Sequence, residues 1–194
     1  MLLFFDTETT GLYQSRLPHD HQDQPHLVQL AAFLTDDEGN PEAEMSVIIN
    51  PGVPIPDGAS NVHGITTEKA ERLGCEPDLA INMFRHLYLN ADRVIAHNIS
   101  FDKGVMEVAI GRMLGAPRTM DRDMFCTMEA ATPIVNLPPT ERMIAAGMNK
   151  PKPPKLEECI RHFFDEELDG AHDAMVDVRA CKRLYFRLAE EGVT

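Results

Sequence analysis

The chain has 194 residues, 43% hydrophobic and 25% charged, which is enough apolar material for one sizeable core and too much for a disordered tail. Its 18 basic and 31 acidic side chains give a net charge of −13, split as −10 over residues 1–97 and −3 over residues 98–194; such a balance is unsuited to gripping long nucleic acid through a broad basic face. No apolar run is long enough for a membrane span or a secretory segment, and the four scattered cysteines lack a CxxC pair, so a reducing, cytoplasmic setting is expected.

The opening MLLFF is apolar without alternation, as in a strand buried on both faces, and runs straight into Asp6. Residues 9–26, with Gly11, Pro18 and Pro25, read as a polar loop whose His19, His21 and His26 are solvated. His26–Leu34 and Glu44–Ile49 read as strands of a hairpin around the turn signal Asp36-Asp37-Glu38-Gly39-Asn40. Pro51–Gly58 reads as loop. Thr66 or Thr67 then caps a short helix that ends at Gly74. From Asp78, Leu79, Met83, Phe84, Leu87 and Tyr88 recur at helical spacing.

Arg93–Ala96 reads as a short strand, and Val105–Leu114 as a helix closed by Gly115 and Pro117. Asp121–Met128 reads as a last strand passing into a short helix. Residues 133–154 hold 6 of the 14 prolines and predict an ordered loop or a mobile flap. Leu156–Phe164 and Ala174–Glu191 complete the helices, the last with Val178, Cys181, Leu184, Tyr185 and Leu188 facing inward. Strands first, then alternating helices and strands, predict one α/β domain over residues 1–194 with a mixed sheet.

Four places carry acids or histidines that a plain core would not hold. Asp6-Thr7-Glu8 sets two acids at i and i+2, on one face of a strand, an arrangement that costs free energy unless a cation compensates it; the alternative is a strand end in solvent. In Ala96-His97-Asn98-Ile99-Ser100-Phe101-Asp102, a short strand enters a polar turn and Asp102 sits near a helix start, where it can also serve as an N-cap. Gly170-Ala171-His172-Asp173-Ala174-Met175-Val176-Asp177 puts His172 and Asp177 about 140° apart on a helix; if the helix starts at Asp173, His172 lies in the loop and can lean over Asp177. The last is His63, in Val62-His63-Gly64-Ile65-Thr66, which stands before a helix and taken alone reads as structural.

Taken in order, these motifs resemble the DEDDh 3′–5′ exonucleases, the family of the epsilon proofreading subunit of bacterial DNA polymerase III, ribonuclease T and oligoribonuclease. The resemblance runs from Leu2 to about Leu188, and the VHGIT and EELDGAHDAMVDVRA segments are similar to the epsilon type. It implies a ribonuclease-H-like α/β fold, a mixed five-stranded sheet flanked by helices. It implies too that Asp6, Glu8, Asp102 and Asp177 hold two divalent metal ions, Mg²⁺ or Mn²⁺, with His172 as general base. Hard oxygen donors without thiolates suit those ions, and an imidazole near neutrality suits proton transfer.

By the same resemblance, Thr9, Gly11 and Leu12 meet the terminal sugar and bases of a single-stranded 3′ end. His63 and His97 line the site, and Phe101 is either a stacking face or a core anchor. The run Lys150-Pro151-Lys152-Pro153-Pro154-Lys155 either follows the phosphates or is a solvated loop. DNA is favoured over RNA as substrate, with weak affinity for long duplex and little processivity. The chain ends six residues after Leu188, so no polymerase-binding tail is expected and a free-standing enzyme is favoured. A catalytically silent binding module would lack one of the five acid and histidine positions, and an HD-type phosphohydrolase would be all-helical.

Overall fold

The computed structural model describes residues Met1–Thr194: a five-stranded mixed sheet flanked by eight helices. Strands β1 (Leu2–Thr9), β2 (Leu27–Thr35) and β3 (Pro41–Ile48) form an antiparallel meander; β4 (Arg93–Ala96) pairs parallel with β1, and β5 (Asp123–Cys126) parallel with β4. The order across the sheet is β3-β2-β1-β4-β5, which puts β1 at the centre. The helices are α1 (Asp57–His63), α2 (Thr67–Leu73), α3 (Pro77–Asn90), α4 (Ile99–Leu114), α5 (Thr127–Val135), α6 (Glu141–Ala145), α7 (Leu156–Phe164) and α8 (Ala174–Glu190).

The side-chain alternation of β1 builds both faces of the core. Leu3 and Phe5 point into a cluster with Ile81 and Phe84 of α3 and Val105 and Met106 of α4. Leu2 and Phe4 point the other way, against Ala174, Val178, Cys181 and Tyr185 of α8, with Phe4 edge-on to Tyr185 at 5.5 Å. Each fully buried side chain of this size stabilises the fold by about 1.5–3 kcal/mol. The same alternation, carried past Phe5, sends Thr7 toward α4 and both Asp6 and Glu8 toward α8.

The strand boundaries shift outward from the sequence reading. β1 continues through Asp6 to Thr9 because its ladder to β2 persists, Asp6 opposite Ala31 and Glu8 opposite Gln29, whatever the polarity of the side chains. Helix α1 corrects only the end of the loop read over Pro51–Gly58: residues 51–56 are loop, and the helix opens at Asp57. It buries no residue, has no side-chain cap and ends at Gly64 in a left-handed conformation (φ 70°), so no apolar stripe announces it. His63 therefore closes one helix as well as preceding the next. The proline-rich stretch also holds α6, capped by the Thr140 hydroxyl accepting from Met143 N–H. Around α6 the chain is mostly exposed, forming an arm closed at its base by a bridge between Leu137 and Lys152.

Candidate active site

The carboxyl ends of β1 and β4 and the amino ends of α4 and α8 converge on a cavity of about 550 Å³. Its walls include Asp6, Glu8, Asp102, His172 and Asp177, together with Leu12, His97, Phe101, Met128, Lys155 and Glu157. A second groove of about 480 Å³ between α3 and α4 is lined mainly by apolar side chains and has no carboxylate, so the converging chemistry belongs to the first.

Each acid has a distinct support. Asp6 and Glu8 come from alternate positions of β1. Asp102, in the first turn of α4, is only 3% exposed, and its Oδ1 accepts from Thr7 N–H at 3.0 Å and Thr7 Oγ1 at 2.7 Å. It is thus no N-cap; that position belongs to Asn98, held left-handed at φ 68° in the turn after β4. Asp177 rides the first turn of α8, where Asp173 caps the helix by accepting from Met175 and Val176 N–H. His172 sits just ahead in a left-handed turn (φ 70°), and its N–H donates to Asp177 Oδ2 at 2.9 Å. That turn folds the exposed imidazole back, so ligand atoms of Glu8, His172 and Asp177 lie within 4.8 Å of one another and can hold a cation.

The acids oppose one another. Burial, then the charges of Asp102, Asp177 and Glu8, hold the Asp6 carboxyl well above the usual range. Burial, then the charges of Asp177, Asp102 and Asp173, push Glu8 to about 8. For Asp102, burial outweighs the two bonds from Thr7 and lifts it to about 7. Asp177 is raised as well, chiefly by burial, against the counter-pull of the His172 N–H. Lys155 is the one lysine or arginine on the walls, and its Nζ is 3.3 Å from Glu157. Five carboxylates thus face one ammonium across the cavity, an acidic lining that bound cations would compensate.

The rim is shaped by the loop after β1. The Thr9 hydroxyl donates to Gly11 O at 2.6 Å, and Leu12 stands 76% exposed at the cavity mouth. Tyr13 packs its ring where Gly104 of α4 has no side chain; a Cβ there would come within 2.4 Å of the ring. Arg112 secures the far end of the loop, donating to Pro25 O and Gln24 O, both at 2.7 Å. Thr9 and Gly11 do not themselves line the cavity.

The other expected contacts divide. Phe101 is half-buried against the core, as the anchor reading expects, and also lines the cavity. His63 is outside the cavity lining; its Nδ1 accepts from Ile65 N–H at 3.2 Å, its Nε2 is buried without a partner, and burial lowers its pKa. His97 lines the cavity, but both ring nitrogens are engaged, Nδ1 with Thr127 Oγ1 and Nε2 with Pro154 O, each at 3.0 Å. Within the lysine–proline run, Lys152 is tied to Glu158 at 2.5 Å, whereas Lys150 is exposed and Lys155 faces the site. Glu157 and Met128 were not singled out from the sequence; both sit at helix starts whose orientation toward the site only the packed fold supplies.

Comparison with known proteins gives a consistent result. The exonuclease family model RNase_T matches residues 3–185. The DNA polymerase III subunit epsilon of Buchnera aphidicola subsp. Acyrthosiphon pisum (strain APS) is 26% identical over 184 residues, 94% of this chain and 70% of that protein. A PolC-type DNA polymerase III of Lactococcus lactis subsp. lactis (strain IL1403) is 29% identical over 187 residues, 96% of this chain but 10% of the polymerase. Escherichia coli exonuclease I in complex with a dT13 oligonucleotide shares the fold, with a TM-score of 0.75 at 22% identity over 97% of this chain and 40% of that one.

Proposed function

The chain belongs to the RNase_T exonuclease family, and from that premise we propose that it hydrolyses single-stranded DNA from the 3′ end, releasing nucleoside 5′-monophosphates. The observation that carries this reading is the charge of the cavity: Asp6, Glu8, Asp102, Glu157 and Asp177 against Lys155 alone. Such a site repels a phosphodiester until cations compensate it, and burial together with the neighbouring carboxylates raises the pKa values of Asp6, Glu8, Asp102 and Asp177. These four acids would hold two Mg²⁺ or Mn²⁺ ions, which supply Lewis acidity toward the scissile phosphate when bound.

The chain's own residues do the rest. His172, exposed at the mouth, accepts a proton from the attacking water as its oxygen bonds to phosphorus and the bond from phosphorus to the 3′ oxygen breaks, and the leaving oxygen takes a proton from solvent to become the new 3′-hydroxyl. The N–H of His172 on Asp177 keeps that turn, and with it the imidazole, over the acids. Leu12 and Phe101 offer apolar faces to the terminal bases, and Lys155 offers its ammonium to a phosphate. DNA is favoured because the relatives by sequence are subunits and forms of DNA polymerase III. A cytoplasmic setting accords with four cysteines that remain free thiols.

The test is hydrolysis of 3′- and 5′-labelled single-stranded DNA and RNA oligomers with Mg²⁺, Mn²⁺ or chelator, beside Asp6→Ala and His172→Ala. Stepwise, metal-dependent loss from the 3′ end, faster on DNA and abolished by both substitutions, is the expected result. A folded protein that cleaves neither polymer would overturn the reading.

A further inference from the structure

His97 stands where β4 ends, beside the parallel strand β5, and its ring bridges two elements that are far apart in sequence. Pro154 O can only accept, so Nε2 carries the ring proton and donates to it; Nδ1 is then the acceptor for the Thr127 hydroxyl. Thr127 is fully buried, and with its one proton on Nδ1 at 3.0 Å rather than on Ala96 O at 3.4 Å, its oxygen can accept from the Cys181 thiol of α8 at 3.5 Å. A ring with both nitrogens committed inside the protein has none left for a substrate.

What it holds is the base of the arm. Pro154 is buried and immediately precedes Lys155, the N-cap of α7, whose N–H donates to Glu158 Oε2 at 2.7 Å. Apart from the bond to His97, the hydrogen bonds of residues 150–155 stay within the arm and α7: Lys152 N–H to Leu137 O, Lys152 Nζ to Glu158, and Lys155 to Glu157, Glu158 and Cys159. Residues 153–157 form one wall of the cavity and carry Lys155.

We propose that His97 is a positioning residue, a strut that fixes the Pro153–Glu157 wall, and through it Lys155, over the carboxylate site. The effect on turnover rests on the exonuclease reading above; the effect on the arm does not. His97 acts through the Pro154 carbonyl, so its loss weakens the hold on the DNA end more than the chemical step.

The test compares two substitutions of similar polarity. In His97→Gln the amide nitrogen reaches about as far from Cα as Nε2 and can still donate to Pro154; in His97→Asn the amide reaches only as far as Nδ1 and can serve Thr127 alone. Limited trypsin digestion reads the arm without needing activity: Lys150 and Lys152 precede prolines and resist cleavage, leaving the bonds after Arg142 and Lys155. Asn is expected to speed cleavage after Lys155 and to raise KM for a single-stranded oligonucleotide about three- to tenfold with little change in kcat, the scale of one lost hydrogen bond. Gln is expected to restore both.

Equal KM rises in Asn and Gln with unchanged proteolysis would mean direct substrate contact and overturn the strut. No change in either measurement would overturn it too, whereas altered proteolysis with unchanged KM would uphold the strut and overturn only its effect on substrate binding. If the wild type proves inactive on both polymers, the proteolysis comparison still decides whether His97 holds the arm.

Discussion

Asp102→Asn separates the electrostatics of the site from its geometry. The Asp102 carboxyl is almost wholly buried, and Oδ1 takes both bonds from Thr7. An asparagine keeps that acceptor and removes the charge. In the metal-free protein the group titrates at about 7 instead of 3.8, so the folded chain binds a proton that the unfolded chain has released. Stability therefore falls as pH rises through that window, by about 4 kcal/mol at 1.36 kcal/mol per unit if the whole shift is expressed. In chelator near about pH 8, Asp102→Asn is expected to stabilise the fold by about 2–4 kcal/mol, raising Tm by about 5–15 °C. Near about pH 4, where the wild-type carboxyl is protonated, the gain should vanish. Mg²⁺ should stabilise the wild type at the higher pH and the variant far less. The assay is urea or thermal unfolding by circular dichroism across pH, with chelator and with Mg²⁺. A metal-free wild type whose stability is flat or rises over that range would refute the reasoning.

His172→Ala should abolish turnover yet leave Mg²⁺-induced stabilisation close to wild type, whereas Asp177→Asn should weaken both; equal loss of metal response would make the imidazole a ligand in place of a base. Gly104→Ala drives a Cβ to within 2.4 Å of the Tyr13 ring and should cost about 1–3 kcal/mol in denaturant melts. In a Tyr13→Ala background the same change should be neutral or stabilising, since only the helical preference for alanine remains. With few cationic contacts at the site, the logarithm of oligonucleotide affinity should fall with the logarithm of salt at a slope of about −1, as one or two neutralised phosphates give; a slope steeper than about −4 would show an extended basic track.

Much of the site was legible because its acids close regular elements. Asp6 and Glu8 end an apolar strand, so their i+2 spacing puts them on one face, whereas Asp177 taken alone reads as an exposed helical acid and joins them only through the order of the motifs. Leu156–Phe164 emerges with the predicted bounds because an amphipathic stripe and a proline just before it mark the element. Less legible was anything decided by partners distant in sequence. The i+2 rule cannot show that Thr7 on the opposite face would claim Asp102 from α4. His97 stands out for its position in the motif and does line the cavity, and only Thr127 and Pro154, 30 and 57 residues later, show that both its ring nitrogens are engaged. Helix α1 escaped because it buries nothing and so leaves no periodicity to read.

The acidity of the chain sharpens the question of how it holds a polyanion. Arg93, Arg161, Arg179, Arg183 and Arg187 are paired with Asp123, Glu167, Glu44, Glu166 and Glu190, so much of the positive charge is already spent locally. Charges beyond about 8 Å are screened at physiological salt, so an exposed arginine elsewhere on the surface does little for a phosphate at the cavity. On the proposed reading, binding would come from what sits in the cavity itself: divalent charge on the acids, Lys155 on its wall, and apolar contact at Leu12 and Phe101. All of these act on the last nucleotides, and the strand behind them gains little. In the exonuclease proposed above, the product of each cut would leave with most of the grip and the shortened strand would be free to dissociate before the next. Distributive cutting is therefore the expected outcome for a site of this charge unless another protein keeps the strand near it.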